Sequence, residues 1–128
     1  SNVGGAGGSG IVIVSASRQE TTSSSMTIIS DTFTANATPS TARIVIFAEL
    51  GDDINSEISA SVTRDNTTFN SVTLTDEGFS AGSSGIKIFS GSTPLTGSAS
   101  PQVRLRWKIV GTSLEGANKI HGVSLQWK

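Results

Sequence analysis

The sequence contains no cysteine, no tyrosine and a single histidine, His121. Without cysteine the chain forms neither a disulfide nor a thiolate metal site, so packing alone must stabilise it. Catalysis near neutral pH needs side chains that exchange protons or attack as nucleophiles, and one histidine is a poor supply of them. We therefore predict that the chain is not an enzyme, with no catalytic residue, no bound metal and no cofactor.

Long apolar runs and an excess of charge are also missing. No run approaches the roughly 20 residues that a membrane-spanning helix needs. The formal net charge is -1, with nine basic and ten acidic residues, so no overall field attracts nucleic acid or an anionic membrane. These features predict neither nucleic-acid binding nor membrane insertion, and a partner would have to recognise a local surface.

Serine, threonine and glycine are abundant, and β-branched residues fill the apolar segments. This composition is typical of an all-β protein. Residues 1–10 are rich in glycine and have little to bury, which predicts a linker or junction that continues a longer polypeptide. Residues 11–128 are long enough for a single β-domain with its own core.

A β-hairpin is the clearest local prediction. Residues 58–63 alternate apolar and polar side chains, and after a turn at Asp65 and Asn66 the alternation resumes in residues 69–74. Alternation of this kind indicates strands with one face on a core. Aspartate and asparagine suit the turn because their side chains bond the backbone locally.

About eight or nine strands follow one another at the spacing of an antiparallel two-sheet β-sandwich, and a jelly-roll arrangement is the preferred topology. In residues 103–110 the alternation points Arg104, Arg106 and Lys108 outward. We interpret this basic row as charges that keep an edge strand from pairing with other chains. Contact with phosphate groups of a lipid or polysaccharide is the alternative.

The last predicted strand, residues 119–127, places His121 on the same face as Trp127 and two aliphatic residues. We expect His121 to be packed in the core or at an interface. Aromatic residues are only 5% of the chain, and Trp107 and Trp127 both lie at inward positions. We therefore expect both tryptophans in the core and not on an exposed platform that stacks sugar rings.

Polar loop residues supply the candidate ligand-binding site. Carboxylates cluster at two places, one formed by Glu49, Asp52 and Asp53 and the other by Asp76 and Glu77. Such groups can bind Ca²⁺, act as the acid and base of a glycosidase, or accept hydrogen bonds from a sugar. The structural alternative is that they cap turns. The predicted ligand-binding residues are Asn36, Asp52, Asp53, Asp76, Glu77 and Asn118.

Several short segments between residues 39 and 128 carry a likeness to known proteins. They are Ala42-Arg43 with the apolar strand that follows, INSEI at 54–58, VTRD at 62–65, VTLTDEG at 72–78, RLRWKI at 104–109 and KIHGVSLQW at 119–127. With them, this part of the chain resembles a β-sandwich domain of tailed-phage virion proteins, especially marine ones, near the ends of fibre, appendage or Gly-rich structural proteins. The junction GGAGGSGIVIV at 4–14 is also similar to junctions in phage tail proteins.

The resemblance implies a non-enzymatic structural module of the virion, in a fibre, in an appendage or on the capsid surface, with a role in host attachment. It also implies self-association, with a homotrimer favoured, and contacts with other virion proteins. The expected location is the virion, outside the cell. Because the shared motifs are structural, no binding residue is carried over. The alternative hypothesis is a carbohydrate-binding module that recognises a cell-surface glycan with its polar loops.

The hairpin turn also resembles a shortened Asp box, a turn motif of sialidase-like propellers. Thr63, Asp65, Thr68 and Phe69 match that motif if one residue and the glycine are lost. In those proteins the box folds a turn and does not catalyse. This likeness therefore predicts only a structural role for Asp65.

Overall fold

The computed structural model describes residues 10–14, 18–20, 24–82, 85–98 and 103–128. Within them the chain forms strands and no helix, so no described segment is a helix that could cross a membrane. Except for Gly10, the predicted glycine-rich linker lies outside the described residues. The strands are β1 (Gly10–Val14), β2 (Arg18–Glu20), β3 (Ser24–Ile29), β4 (Phe33–Ala35), β5 (Thr41–Leu50), β6 (Ile58–Thr63), β7 (Phe69–Val72), β8 (Thr75–Phe79), β9 (Lys87–Pro94), β10 (Val103–Leu114) and β11 (Asn118–Trp127).

The strands form two antiparallel sheets. The six-stranded sheet has the order β1-β11-β5-β9-β8, with β2 paired to the other half of β11. The five-stranded sheet has the order β3-β10-β6-β7, with β4 paired to the start of β10. Because β1 shares an edge position with β2, and β3 shares one with β4, the segments occupy nine strand positions. This confirms the predicted all-β sandwich and its strand number.

The strand pairs show a jelly roll. The early strands pair with the late ones in nested order: β1 and β2 with β11, β3 and β4 with β10, β5 with β9, and β6 with β7. This is the order produced when a long two-stranded ribbon is rolled into two facing sheets, which is how a jelly roll avoids long open edges. The strand β8 is an addition to that pattern, and it pairs with β9 at the outer edge of the six-stranded sheet.

A single hydrophobic core lies between the sheets. Ile44 and Ile46 of β5 face it from one side, and Leu105 of β10 faces it from the other. Trp107 and Trp127 are only 1% and 4% exposed, which confirms that both tryptophans are core residues. Burial of large apolar side chains of this kind stabilises a fold by about 1.5–3 kcal/mol each.

The predicted hairpin is confirmed. Strands β6 and β7 pair antiparallel, with Thr63 opposite Phe69, and residues 64–68 form the turn between them. Strand β9 (Lys87–Pro94) lies in the interior of the six-stranded sheet, between β5 and β8. It remains paired with β5 as far as Thr41 and Pro94. Proline is tolerated there because β8 pairs only with the first half of β9, so one side of Pro94 has no partner strand.

His121 faces outward, so it does not pack with the core, and its location at an interface stays a prediction. In the pairing of β11 with β5, Ile120 lies opposite Ala48 and Gly122 lies opposite Phe47, which leaves His121 as an extra residue in a bulge. A bulge reverses the alternation of the residues before it. Ile120 therefore points into the core, where it is 2% exposed, although the alternation predicted that it would point away.

The interpretation of the basic row as edge protection is also wrong. Strand β10 lies in the interior of the five-stranded sheet, with β3 and β4 on one side and β6 on the other. An interior strand has no unpaired edge to protect. Arg104, Arg106 and Lys108 need another explanation.

Candidate functional site

The connections between strands gather at two ends of the sandwich. One end, named the pocket end after the pocket that it contains, carries the β5–β6 and β10–β11 connections, residues 51–57 and 115–117. The turn end carries the β4–β5 and β6–β7 connections, residues 36–40 and 64–68. A site formed by loop residues must therefore belong to one end or the other.

An open pocket of about 510 Å³ lies at the pocket end. Its volume falls within the range of small-molecule sites in proteins. It brings together acidic residues from both predicted carboxylate clusters, although these are far apart in the sequence. The residues that line it are Glu49, Leu50, Gly51, Asp52, Asp53, Ile54, Asp76, Phe79, Gly85, Lys87, Phe89 and Ala117.

The additional strand β8 builds one wall of the pocket. The five-stranded sheet ends at β7, which lies against β9, so β8 extends beyond it. In the β8–β9 register Asp76 is opposite Phe89 and Phe79 is opposite Lys87, with an irregularity between the two pairs. Because Phe89 faces the core, Asp76 and Phe79 project from the inner face of the sheet at the point where no opposing strand covers it.

Phe79 and Lys87 form the exposed part of this wall. Phe79 is 64% exposed, and the Lys87 ammonium lies 5.2 Å from the centre of its ring. Lys87 Nζ also donates a hydrogen bond of 2.9 Å to Asp76 Oδ2. This bond, with a second one from the Gly78 N–H, lowers the pKa of Asp76 below its ordinary value. The wall therefore combines an open aromatic ring, a cation and an ionised carboxylate.

Asn118 lies under the pocket and connects two loops. It is 1% exposed, and its Oδ1 accepts hydrogen bonds from the N–H groups of Gly51, at 2.9 Å, and Asp52, at 3.3 Å. Its Nδ2 donates to Asp52 Oδ2 at 2.7 Å, and that carboxylate also accepts the N–H groups of Glu115 and Gly116. The Asn118 amide, followed by these backbone groups, lowers the pKa of Asp52. Both side chains position the loops, and Asn118 is too buried to touch a ligand.

Asp53 is the carboxylate that remains available on the rim. Its main chain is fixed, since its N–H donates to Glu57 Oε1 at 2.9 Å and its carbonyl accepts the N–H groups of Glu57 and Ile58. No hydrogen bond to its side-chain carboxylate occurs within the described part of the chain. An exposed acceptor on a fixed main chain is suited to a ligand with hydroxyl donors.

The remaining predicted site residues do not line the pocket. Glu77 Oε2 accepts a hydrogen bond of 2.7 Å from the buried Ser90 hydroxyl. Asn36 is exposed in the β4–β5 connection, at the opposite end of the sandwich. The pocket thus unites Asp52, Asp53 and Asp76, holds Asn118 beneath them, and excludes Asn36 and Glu77.

The sequence pattern does not predict Phe79 and Lys87 as pocket residues. Asp76, Glu77 and Gly78 are typical of a turn, so the pattern does not indicate a strand that contains Phe79. Gly78 does have a positive φ of 95°, but it lies inside β8 and not between strands. The available signal was Phe79 itself, an aromatic residue outside the alternating apolar segments.

Metal binding receives no support from these side chains. Within the described ranges, no three histidine or acidic residues lie close enough to hold a metal ion.

No protein-family model matches the chain, and no curated protein is significantly similar to it. Function must therefore be inferred from the fold and from the chemistry of the pocket.

Proposed function

We propose that the chain is a non-enzymatic structural module of a phage virion that contacts the host surface, and that its pocket binds a neutral glycan. The observation that carries the glycan proposal is the convergence of Phe79, Lys87 and the carboxylates of Asp53 and Asp76 at one open pocket. The apolar face of a sugar packs on an aromatic ring, and its hydroxyls donate strong hydrogen bonds to carboxylates. The acidic rim disfavours anionic sugars.

The virion proposal rests on the resemblance of the segments in residues 39–128 to phage virion domains. The topology is compatible with a virion role and with glycan binding, since jelly rolls occur in viral capsid proteins and in lectins. A fold alone does not assign a function. The pocket adds a specific surface that an attachment module would use.

Asp52 and Asp76 are better suited to accept hydrogen bonds than to donate a proton in glycan cleavage. A glycosidase needs one acid whose pKa is raised so that it can donate a proton near neutral pH. The pKa values of Asp52 and Asp76 are instead lowered by their hydrogen bonds. Both are therefore ionised acceptors.

The substitution Phe79→Ala tests the pocket. We expect it to weaken binding to a neutral glycan at least tenfold, because the packing surface is lost while the charges remain. A neutral glycan array identifies the ligand, and titration calorimetry then compares the variant with the wild type. Ile29→Ala is the matched control, since Ile29 is the other exposed large apolar side chain in the described residues, at 43%, and lies on the five-stranded sheet.

The control variant should retain wild-type affinity. An array without any bound neutral glycan at high protein concentration would refute the glycan proposal. Equal loss in both variants would place the binding outside the pocket.

A further inference from the structure

The basic row of Arg104, Arg106 and Lys108 occupies the outer face of the five-stranded sheet. Alternate residues of β10 point into the core, where Leu105, Trp107 and Ile109 are fully or almost fully buried. The three cations therefore point to solvent from one interior strand. Their backbone positions are about 6.7 Å apart along it.

These cations are not neutralised. Arg106 donates one hydrogen bond of 3.2 Å to the Asn66 side chain, and the Lys108 ammonium lies 4.0 Å from the centre of the Phe69 ring. Neither partner carries a charge. None of the three forms an ion pair with any carboxylate in the described ranges.

The neighbouring strands surround the row with hydroxyl groups. Across the ladders, Arg104 lies opposite Thr34 and Lys108 opposite Ser61, whereas Thr63, opposite Arg106, is buried. No outward-pointing position of this sheet carries an acidic residue in the part of the chain that is described. The outer face thus presents cations, hydroxyls, the Phe69 ring and the exposed Ile29 side chain, which lies opposite Lys108.

Most of the acidic residues lie at the pocket end and not beside the basic row. Those in the strands and connections of the pocket end are Glu20, Glu49, Asp52, Asp53, Glu57, Asp76, Glu77 and Glu115. This separation is hidden in the net charge of -1. A negatively charged polymer would be repelled from the pocket end and attracted to the basic row.

We propose that the outer face of the five-stranded sheet binds an anionic polysaccharide, with Arg104, Arg106 and Lys108 contacting successive acidic groups of one extended chain. The Thr34 and Ser61 hydroxyls beside the row hydrogen-bond the sugar hydroxyls. This surface is separate from the pocket. It binds an anionic ligand, whereas the acidic rim of the pocket disfavours one.

Polysaccharide fits this surface better than nucleic acid. Proteins bind DNA non-specifically by neutralising its phosphates with lysine and arginine, and the affinity depends on how many phosphates they contact. A single row of three cations on a chain with net charge -1 provides few such contacts. Weak contacts to a repeating polysaccharide suffice when many copies are displayed together.

The test is binding of the full chain to immobilised heparin, which carries sulfates, and to polygalacturonate, which carries carboxylates. Neutral dextran and duplex DNA are the comparison ligands. We expect the chain to bind at least one of the two anionic polysaccharides tenfold more tightly than dextran or DNA at low salt. Binding to only one of them identifies sulfate or carboxylate as the recognised group.

The decisive variant is Arg104→Gln/Lys108→Gln. Its affinity should fall at least tenfold, and the slope of log K against log salt should become shallower by roughly 1.5. The matched control is Arg43→Gln/Lys119→Gln, which removes the same charge from the outer face of the six-stranded sheet. Its affinity should change less than twofold. The single substitution Arg104→Gln should give an intermediate loss of affinity. It provides a second test of the row if the double variant does not fold.

Three results would overturn the proposal. One is equal weakening of both double variants, which would indicate only the overall charge. Another is DNA binding as tight as that of the polysaccharides. The third is the absence of binding to either anionic polysaccharide at low salt.

Discussion

Asp65 shows how one side chain fixes the turn between β6 and β7. Its Oδ1 accepts the N–H groups of Thr68, at 2.7 Å, and Thr67, at 2.9 Å, together with the Thr63 hydroxyl. Its Oδ2 accepts the N–H of Ser98 at 3.0 Å, from the segment that follows β9. The turn is thereby bonded both within itself and to a neighbouring connection. This is the structural role that the Asp-box likeness predicted.

Removal of this carboxylate should destabilise the fold. Asp65→Ala leaves several N–H groups without their acceptor, and we expect the free energy of unfolding to fall by about 2 kcal/mol. The value is modest because solvent reaches part of the turn. Asp31→Ala, a substitution of an exposed aspartate, should change it by less than about 0.5 kcal/mol. Urea denaturation of both variants makes the comparison, and equal losses would contradict this role.

The same hydrogen bonds make the stability that Asp65 contributes depend on pH. The N–H groups of Thr68 and Thr67, followed by that of Ser98, hold the pKa of Asp65 well below its ordinary value. A lowered folded-state pKa contributes stability above the unfolded-state pKa of about 3.9. This contribution is lost as the pH falls through the folded-state value. The stability difference between wild type and Asp65→Asn should therefore shrink below about pH 4, and a constant difference would refute it.

At the scale of elements, the tight approach of β9 to the chain between β7 and β8 is a sensitive point. The chain crosses there from one sheet to the other. A Cβ atom at Gly91 would overlap the Thr73 carbonyl oxygen and the Val72 side chain. Only glycine fits, because the opposing backbone cannot move without disturbing both sheets.

Gly91→Ala should therefore reduce the free energy of unfolding by about 2–3 kcal/mol. The exposed Ser92→Ala on the same strand should change it by less than about 0.5 kcal/mol. Chemical denaturation separates the two variants. A loss below about 0.5 kcal/mol for Gly91→Ala would show that the crossing has more space than the structure indicates.

The elements also show what sequence can predict. Residues 58–63 and 103–110 alternate strictly, so each strand and its buried face were predictable from local pattern. The bulge at His121 was not, because it exists only in the pairing with β5. Strand β8 was not either, because pairing with β9 outweighs the low strand propensity of aspartate and glycine. One wall of the pocket depends on the pairing of β8 with β9, so its acidic residues were predictable and its shape was not.

At the scale of the whole molecule, the proposed virion role predicts self-association. Weak glycan contacts become effective attachment when several copies act together. We expect multi-angle light scattering to give a stable mass of three times the 13.1 kDa chain at micromolar concentration. A monomer there would contradict the trimer and favour a separately displayed module.

The position of β11 has a consequence for synthesis on the ribosome. Strand β5 carries Ile44 and Ile46, and its partner β11 is made last although it lies in the interior of the six-stranded sheet. At the usual rate of translation the residues from Leu50 to Trp127 require on the order of 4–15 s. During that time β5 lacks its partner β11. The nascent chain must therefore remain soluble in an incomplete state, protected by its many serines and threonines or by a chaperone, until β11 closes the sheet.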